Sequence, residues 1–229
     1  KDQFIASVSH ELRTPLTGIV GLAEALKSDR QLFSDAELDE FMALITEQGA
    51  ELGNIIEDLL VAARADIGTL SVKPATLDIG DQLRTILSLH NSKSSGRLSV
   101  SVRGDRAEAI FDPLRFRQIV RNLVTNALRY GGDHIWAEVE VRGQNVMAAI
   151  VDDGPGVPAG SEHAIFEAYG RGPNSIATPS SVGLGLAVSR QLAELMHGRL
   201  DYRRVDGTSR FELTVPLASV RLDSLRADD

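Results

Sequence analysis

Residues 121–130 read RNLVTNALRY and lie in a segment whose pattern predicts a helix over about 114–130. Asn122 and Asn126 are four residues apart, so a helix places both side chains on one face. Their amide oxygens could hold a hard cation such as Mg²⁺, and Arg129, on a neighbouring part of that surface, could meet a phosphate. A solvated polar face is the alternative explanation of the asparagine pair.

An acidic, glycine-rich turn follows at residues 151–158, which read VDDGPGVP. An apolar strand is predicted to end in this turn, where Gly154 and Gly156 permit unusual backbone torsions and a close approach of a ligand. A carboxylate there could accept a hydrogen bond from an exocyclic amine such as that of adenine. An ordinary turn without a ligand would show the same pattern.

A third stretch, VGLGLAV at residues 182–188, leads glycines directly into an amphipathic helix. Exposed amide groups at a helix N-terminus bind phosphate well. The stretch lacks the GK[ST] ending of a P-loop, and no strand immediately precedes it, so it is not a dinucleotide fingerprint either. Residues 170–182, rich in glycine, proline, serine and threonine, are predicted to form a mobile loop before it.

Short strands alternate with helices around these three stretches. Strands are predicted at about 98–103, 107–111, 134–142, 145–152, 199–204 and 208–216, and helices at about 79–92, 114–130 and 184–197. Asp112 can cap the second of these helices, with Pro113 in its first turn, and His197-Gly198 marks the end of the third. This pattern predicts an α+β sandwich, a sheet covered by helices on one face.

The N-terminal part has a different, purely helical pattern. Residues 1–28 carry apolar side chains at helical spacing, with Pro15 inside, where it should bend the helix. Ser34 to Glu37 resembles a capping box that opens a second helix, running to about Asp66. Two long helices joined by a short loop form a hairpin, and one hairpin cannot bury such wide apolar faces alone. Pairing two hairpins into a four-helix bundle predicts a homodimer.

The predicted domains are a helical hairpin over 1–67, a linker over 68–77, an α+β domain over 78–218 and an acidic tail over 219–229. The chain has 24 basic and 32 acidic residues, and the net charge of −8 argues against a nucleic-acid-binding protein. It has no cysteine, which excludes disulfides and thiolate catalysis. It carries no signal-peptide pattern or bilayer-length apolar run and starts without methionine, so we expect a fragment of a longer protein.

Five stretches, in order, resemble the motifs of the sensor histidine kinases of two-component systems, whose ATP-binding domain is of the GHKL type. The resemblance covers residues 1 to about 217. The matching stretches are the H-box at 4–16 (FIASVSHELRTPL), the N-box at 122–130, the first G-box at 152–156 (DDGPG), the F-box at 165–172 (IFEAYGRG) and the second G-box at 183–186 (GLGL).

The resemblance implies that His10 is phosphorylated by ATP and that Glu11 acts as general base or orients the imidazole. It implies that Thr14 helps to align water for dephosphorylation of the partner, a response regulator phosphorylated on an aspartate. In this family such a fragment is the cytoplasmic portion of a membrane-anchored bacterial sensor. A membrane contact would then come only through segments absent from this chain.

In the ATP-binding domain, the resemblance implies that Asn122 and Asn126 bind Mg²⁺ and that Asp152 bonds the adenine amine. Arg129 would contact phosphate and Tyr130 would lie beside adenine. The remaining nucleotide-binding positions implied by the motifs are Gly154, Gly156, Arg171, Gly183, Leu184 and Gly185.

The sequence departs from the family pattern at the predicted lid. Ser181 stands where the second G-box usually has its first glycine, and Tyr169 and Gly170 stand where the F-box usually has a phenylalanine and another aromatic residue. These changes keep open a scaffold with a degenerate nucleotide domain. A GHKL ATPase without phosphotransfer and an enzyme that works mainly as a regulator phosphatase stay open as well. Whether phosphate moves within one subunit or across the dimer is also open.

Overall fold

The structure is a computed structural model and describes residues 2–91, 96–167 and 184–218. The described residues up to Leu70 belong to one compact unit, and those from Ser71 to Glu167 and from Gly185 onward form the other. No described helix combines the length and the apolar content needed to cross a bilayer.

The first unit is the predicted helical hairpin, with α1 at Asp2–Asp29 and α2 at Asp35–Asp66, joined through a 3₁₀ turn at Arg30–Leu32. Ser34 and Glu37 form the predicted capping box. The Glu37 backbone N–H donates to Ser34 Oγ at 3.4 Å, and the Ser34 backbone N–H donates to Glu37 Oε2 at 2.8 Å. The bonds from Ser34 hold the pKa of Glu37 below its usual value. The box fixes where α2 begins, as the sequence predicted.

The second unit combines three helices with seven strands. The helices are α3 (Ile79–Asn91), α4 (Pro113–Tyr130) and α5 (Leu184–Leu195), and the strands are β1 (Ala75–Asp78), β2 (Leu98–Gly104), β3 (Glu108–Phe111), β4 (Ile135–Arg142), β5 (Asn145–Asp152), β6 (Arg199–Val205) and β7 (Thr208–Pro216). Strand β1, which pairs antiparallel with β3, was not predicted. It directly follows Lys73-Pro74, in the segment that the sequence pattern assigned to a linker.

A five-stranded sheet in the order β2-β4-β5-β7-β6 carries the core of this unit. Strands β2 and β4 run parallel, and the other neighbours are antiparallel. Alternate residues of β4, Ile135, Ala137 and Val139, are buried, and both α3 and α4 contact the sheet. The predicted α+β arrangement is therefore confirmed.

The intervening residues of β4 lie on the other face of the sheet, where charged side chains form a network. Arg210 contacts Glu138 at 2.6 Å and Glu212 at 3.3 Å, and Arg142 contacts Glu212 at 3.2 Å. Beneath this network Met147, one of the β5 residues on this face, is fully buried. The guanidinium and carboxylate groups thus help to shield the apolar β5 residues on this face from water.

Helix α4 is held at its start by Asp112, a buried residue. Asp112 Oδ1 accepts hydrogen bonds from the backbone N–H groups of Leu114 at 2.9 Å and Arg115 at 3.2 Å. Its Oδ2 accepts one from the backbone N–H of Lys73 at 2.6 Å. One side chain therefore caps α4 and ties to it the segment that leads into β1.

We expect Asp112→Ala to lower the free energy of unfolding by about 2 kcal/mol, because it removes a helix cap and leaves three backbone N–H groups without their acceptor. Denaturant unfolding followed by circular dichroism measures this loss. Glu194→Ala, which removes an exposed carboxylate from α5, is the control and should change stability by less than about 0.5 kcal/mol. Equal effects of the two substitutions would contradict the role given to Asp112.

Candidate functional site

Asp152 ends β5 and is 4% exposed, which is unusual for a carboxylate. Its Oδ1 accepts a hydrogen bond from the backbone N–H of Gly154 at 2.9 Å, and the backbone N–H of Gly132 also donates to the carboxylate. Burial raises the pKa of Asp152, the nearby charge of Asp153 adds to the rise, and the two N–H groups oppose it. The result is a buried acceptor with two fixed donors.

Glycines surround this carboxylate because no side chain fits there. A Cβ atom on Gly131 would lie 3.0 Å from Asp152 Cγ, and one on Gly132 would lie 2.7 Å from the backbone nitrogen of Gly154. A Cβ on Gly154 would lie 2.5 Å from the backbone nitrogen of Gly132. The turn after α4 and the turn after β5 therefore touch backbone to backbone, at a separation that only glycine allows.

The far side of the β5 turn is held by β6. Arg204 Nη1 donates to the carbonyl oxygen of Gly154 at 3.1 Å, and Tyr202 Oη accepts from the backbone N–H of Val157 at 3.0 Å. Gly156 has φ +75°, and a Cβ there would collide with Arg204 Nη1. The two predicted glycines thus permit a turn whose course is set by Arg204 and Tyr202, which the sequence motifs did not indicate.

Two further residues at this edge were not predicted to belong to the site. Ser209 is buried and lies opposite Asp152 in the β5–β7 ladder. His134 donates its backbone N–H to Asp153 Oδ1 at 2.8 Å, and its Nδ1 lies 2.7 Å from Asp153 Oδ2. These bonds hold the pKa of Asp153 below its usual value, so the neighbour of Asp152 stays ionised.

Asn122 and Asn126 lie on α4 as predicted, and Asn122 also connects α4 to α5. Asn122 Nδ2 donates to the carbonyl oxygen of Gly185 at 3.2 Å and to Ser189 Oγ at 3.3 Å. With Nδ2 directed at α5, Oδ1 is the amide atom of Asn122 suited to ligate a cation. Within the described residues no group of three or more histidine, aspartate or glutamate side chains could hold a metal. Amide oxygens together with water are oxygen ligands of the kind that Mg²⁺ accepts, so the asparagine pair fits this cation.

The other predicted nucleotide-binding residues lie at the ends of α4 and α5, or outside the described ranges. Arg129 and Tyr130 form the exposed end of α4. Leu184 and Gly185 open α5, and the Leu184 side chain is buried, which leaves its backbone as the group that could meet a ligand. Predicted positions that lie outside the described residues are Arg171, Gly183, Tyr169, Gly170 and Ser181.

The predicted phospho-acceptor region lies on α1. His10 and Thr14 are exposed, and Glu11 between them is half-buried. Thr14 Oγ1 donates to the carbonyl oxygen of His10 at 3.1 Å, one turn back along the helix. Pro15 is buried in the same turn, where its missing N–H leaves one helical hydrogen bond unmade. An exposed imidazole is thus presented on a helix that is locally weakened.

Comparison with known families matches two domains. The model of the His Kinase A (phospho-acceptor) domain matches residues 1–68, and that of the histidine kinase-, DNA gyrase B- and HSP90-like ATPase matches residues 111–219. The sensor protein KdpD of Escherichia coli is 30% identical over 94% of this chain, which covers 24% of KdpD. The chain spans about a quarter of the length of the first curated relatives it matches.

Solved structures agree with this match. The histidine kinase AdeS of Acinetobacter baumannii superimposes with a TM-score of 0.67 at 23% identity, covering 91% of this chain and 98% of AdeS. Full-length ShkA in complex with AMPPNP gives a TM-score of 0.64 at 26% identity, covering 95% of this chain and 46% of ShkA. With a phospho-acceptor domain followed by an ATPase domain, matched in sequence and in fold, the chain belongs to the sensor histidine kinases.

Proposed function

We propose that this chain phosphorylates itself on His10 with ATP and passes the phosphoryl group to an aspartate of a response regulator. The observation that carries the proposal is the buried Asp152 carboxylate, which has glycine backbone on both sides and whose two N–H donors leave acceptor capacity for a ligand. An exocyclic amine of adenine is a donor that suits this acceptor. An exposed histidine followed by a glutamate supplies the phosphate acceptor in the same chain.

The ATP-binding surface would use α4 and α5. Asn122 and Asn126 would hold Mg²⁺, which, when bound, neutralises charge on the phosphates. Arg129 at the end of α4 would contact a phosphate, and Tyr130 would lie beside adenine. The backbone N–H groups at Leu184 and Gly185, at the N-terminus of α5, would receive phosphate oxygens.

The chemistry at His10 is an in-line displacement. A ring nitrogen forms a bond to the γ-phosphorus, the bond from that phosphorus to the β–γ bridging oxygen breaks, and ADP leaves with the electron pair. Glu11 would accept the ring proton or fix the orientation of the imidazole. Most of the rate enhancement in phosphoryl transfer comes from positioning and from charge neutralisation.

The partner reactions would use the same hairpin. A response regulator would dock below His10, against the charged and small residues that lie between the apolar positions of 19–26 in α1 and 52–60 in α2, and take the phosphoryl group on an aspartate. The exposed Thr14 hydroxyl, now bonded to the His10 carbonyl, would turn to align water for dephosphorylation of the regulator. The chain would be the cytoplasmic portion of a membrane-anchored bacterial sensor.

The hairpin would work as a homodimer. Leu16 and Val20 on α1 are 51% and 46% exposed, and Ile56 and Leu60 on α2 are 45% and 50% exposed. Each pair lies four residues apart on its helix, so each helix shows an apolar stripe to solvent. Pairing of two hairpins into a four-helix bundle would bury both stripes.

We expect incubation with γ-labelled ATP and Mg²⁺ to place label on the wild-type chain and none on His10→Gln, while both bind ADP equally. The labelled product should be acid-labile and alkali-stable, as phosphohistidine is. Label that persists in His10→Gln would place the acceptor elsewhere. A wild type that binds ADP but takes no label would favour a regulator phosphatase.

We expect Asp152→Asn to weaken ADP binding by at least about tenfold, because it replaces a charged acceptor, yet not to lower the thermal unfolding midpoint. Because burial raises the pKa of Asp152, its protonated form is favoured in the fold, and this contribution is lost as pH rises through the raised pKa. Above the raised pKa, the ionised carboxylate therefore costs stability.

The control for this prediction is Asp153→Asn, which removes the same charge from the exposed neighbour. Calorimetric titration with ADP and thermal melts at pH 7 compare the two variants. Equal weakening of ADP binding by both, or a clear loss of stability in Asp152→Asn alone, would contradict the assignment.

We expect Val20→Asp to convert a dimer of the 24.7 kDa chain into a monomer at micromolar concentration, because it places a charge in the bundle core. Light scattering coupled to size-exclusion chromatography measures the mass. Leu32 lies in the turn between the helices and is 79% exposed, so the Leu32→Asp variant should remain dimeric. A wild type that is monomeric, or a Val20→Asp variant that stays dimeric, would overturn the proposed bundle.

A further inference from the structure

Arg97 lies at the entrance to β2 and reaches across to the end of α4. Its Nε donates to the carbonyl oxygen of Gly132 at 2.9 Å, its Nη1 to that of Leu128 at 2.9 Å, and its Nη2 to that of Gly131 at 3.1 Å. The carbonyl oxygen of Arg97 itself accepts from the backbone N–H of Ile135 at 2.7 Å. The arginine is thus fixed to the sheet by its backbone and to three carbonyls by its side chain.

These three carbonyls belong to the last turn of α4 and to the glycine pair that follows it. A cation is favoured at a helix C-terminus, where carbonyl groups lack partners within the helix. A planar guanidinium offers several donors in a fixed arrangement, so one side chain can bond all three carbonyls at once. Arg97 therefore determines both where α4 ends and the direction in which the chain leaves it.

The glycine pair is the direct neighbour of Asp152. The carbonyl of Gly132 accepts from Arg97, while the N–H of Gly132 donates to the Asp152 carboxylate. Two consecutive glycines have the widest backbone freedom of any dipeptide, so contacts from outside must set their conformation. Arg97 supplies such contacts on the side away from Asp152.

We propose that Arg97 is a positioning residue for the adenine-binding carboxylate, acting through Gly131 and Gly132, which it holds against Asp152. The inference rests on the proposed nucleotide site and adds to it a residue outside every sequence motif of that site. Arg97 touches the carbonyl side of the glycine pair, and its effect on the ligand is indirect.

The test compares the binding of ADP and of inosine diphosphate to the 229-residue chain in the presence of Mg²⁺. Inosine diphosphate carries the same phosphates and ribose but lacks the exocyclic amine that Asp152 would accept. The variants are Arg97→Met and Arg97→Lys, and the control is Arg106→Met, which removes a 78% exposed arginine paired with Asp78 and Asp81. Circular dichroism confirms folding at the temperature of each titration.

We expect the wild type to prefer ADP over inosine diphosphate by about tenfold or more, the worth of a hydrogen bond to a charged group. Arg97→Met should weaken ADP binding by about tenfold and change inosine diphosphate binding far less, so the preference falls toward one. Arg97→Lys keeps the charge but cannot bond all three carbonyls at once, so its ADP affinity should lie between those of the wild type and Arg97→Met. Arg106→Met should match the wild type within about twofold.

A preference for ADP that survives in Arg97→Met would overturn the inference, and so would an equal loss of both nucleotides, which marks a merely structural role. If Arg97→Met does not fold, Arg97→Lys decides, and wild-type affinity and preference in that variant would refute the positioning role. A wild type that binds neither nucleotide would sink the proposed function together with the inference. If the wild type binds ADP and the Arg97 substitutions leave this binding unchanged, the inference alone would be overturned.

Discussion

A buried carboxylate is stable only where fixed donors meet it, and the second unit is arranged around this requirement at Asp152. Its donors are the backbone N–H groups of Gly132 and Gly154, from two turns that belong to different parts of the chain. The turns can touch because the residues in contact, Gly132 and Gly154, have no Cβ atom. The position of the first turn depends in turn on where α4 ends, and the start of α4 depends on the Asp112 cap. The donors to the Asp152 carboxylate are therefore positioned by contacts at both ends of α4.

Helix α4 also links the two ends of the proposed nucleotide site. Near its C-terminus it delivers Gly132 to the carboxylate, and about two turns earlier Asn122 bonds Gly185 and Ser189 at the start of α5. Ser189 Oγ donates to the same Gly185 carbonyl at 2.6 Å, so the first turn of α5 is held from two sides. The base-recognising and phosphate-binding groups would then be positioned by one rigid element, which favours precise placement of a nucleotide.

Local signals account for what the sequence predicted well. The capping box at Ser34 and Glu37, the six predicted strands and the i, i+4 asparagine pair each fit within one element, so their patterns are visible in the sequence. Strand β1 was missed because it directly follows Pro74, in the segment assigned to the linker. At the end of α5 the predicted break is present, but His197 adopts the left-handed conformation, with φ 58°, and Gly198 is needed because a Cβ there would collide with the Thr214 carbonyl.

The parts of the site that escaped prediction share one physical cause. Arg97 bonds carbonyls 31 to 35 residues away, and Arg204 and Tyr202 bond a turn 45 to 50 residues away. Almost every residue has a backbone carbonyl and an N–H group, so the residue type at the bonded backbone position gives no sign of such a contact. Motifs name the side chains that would touch a ligand, whereas the residues that hold those motifs in place become visible only in three dimensions.

The measurement that tests this account most directly is a nuclear magnetic resonance titration of the ¹⁵N-labelled chain with ADP and Mg²⁺. The account predicts that the largest shifts occur at the amides of Gly132, Gly154 and Gly185, which frame Asp152 and the start of α5. Saturable ADP binding that leaves these three amides unmoved and shifts others would contradict it, because the nucleotide would then occupy a different surface.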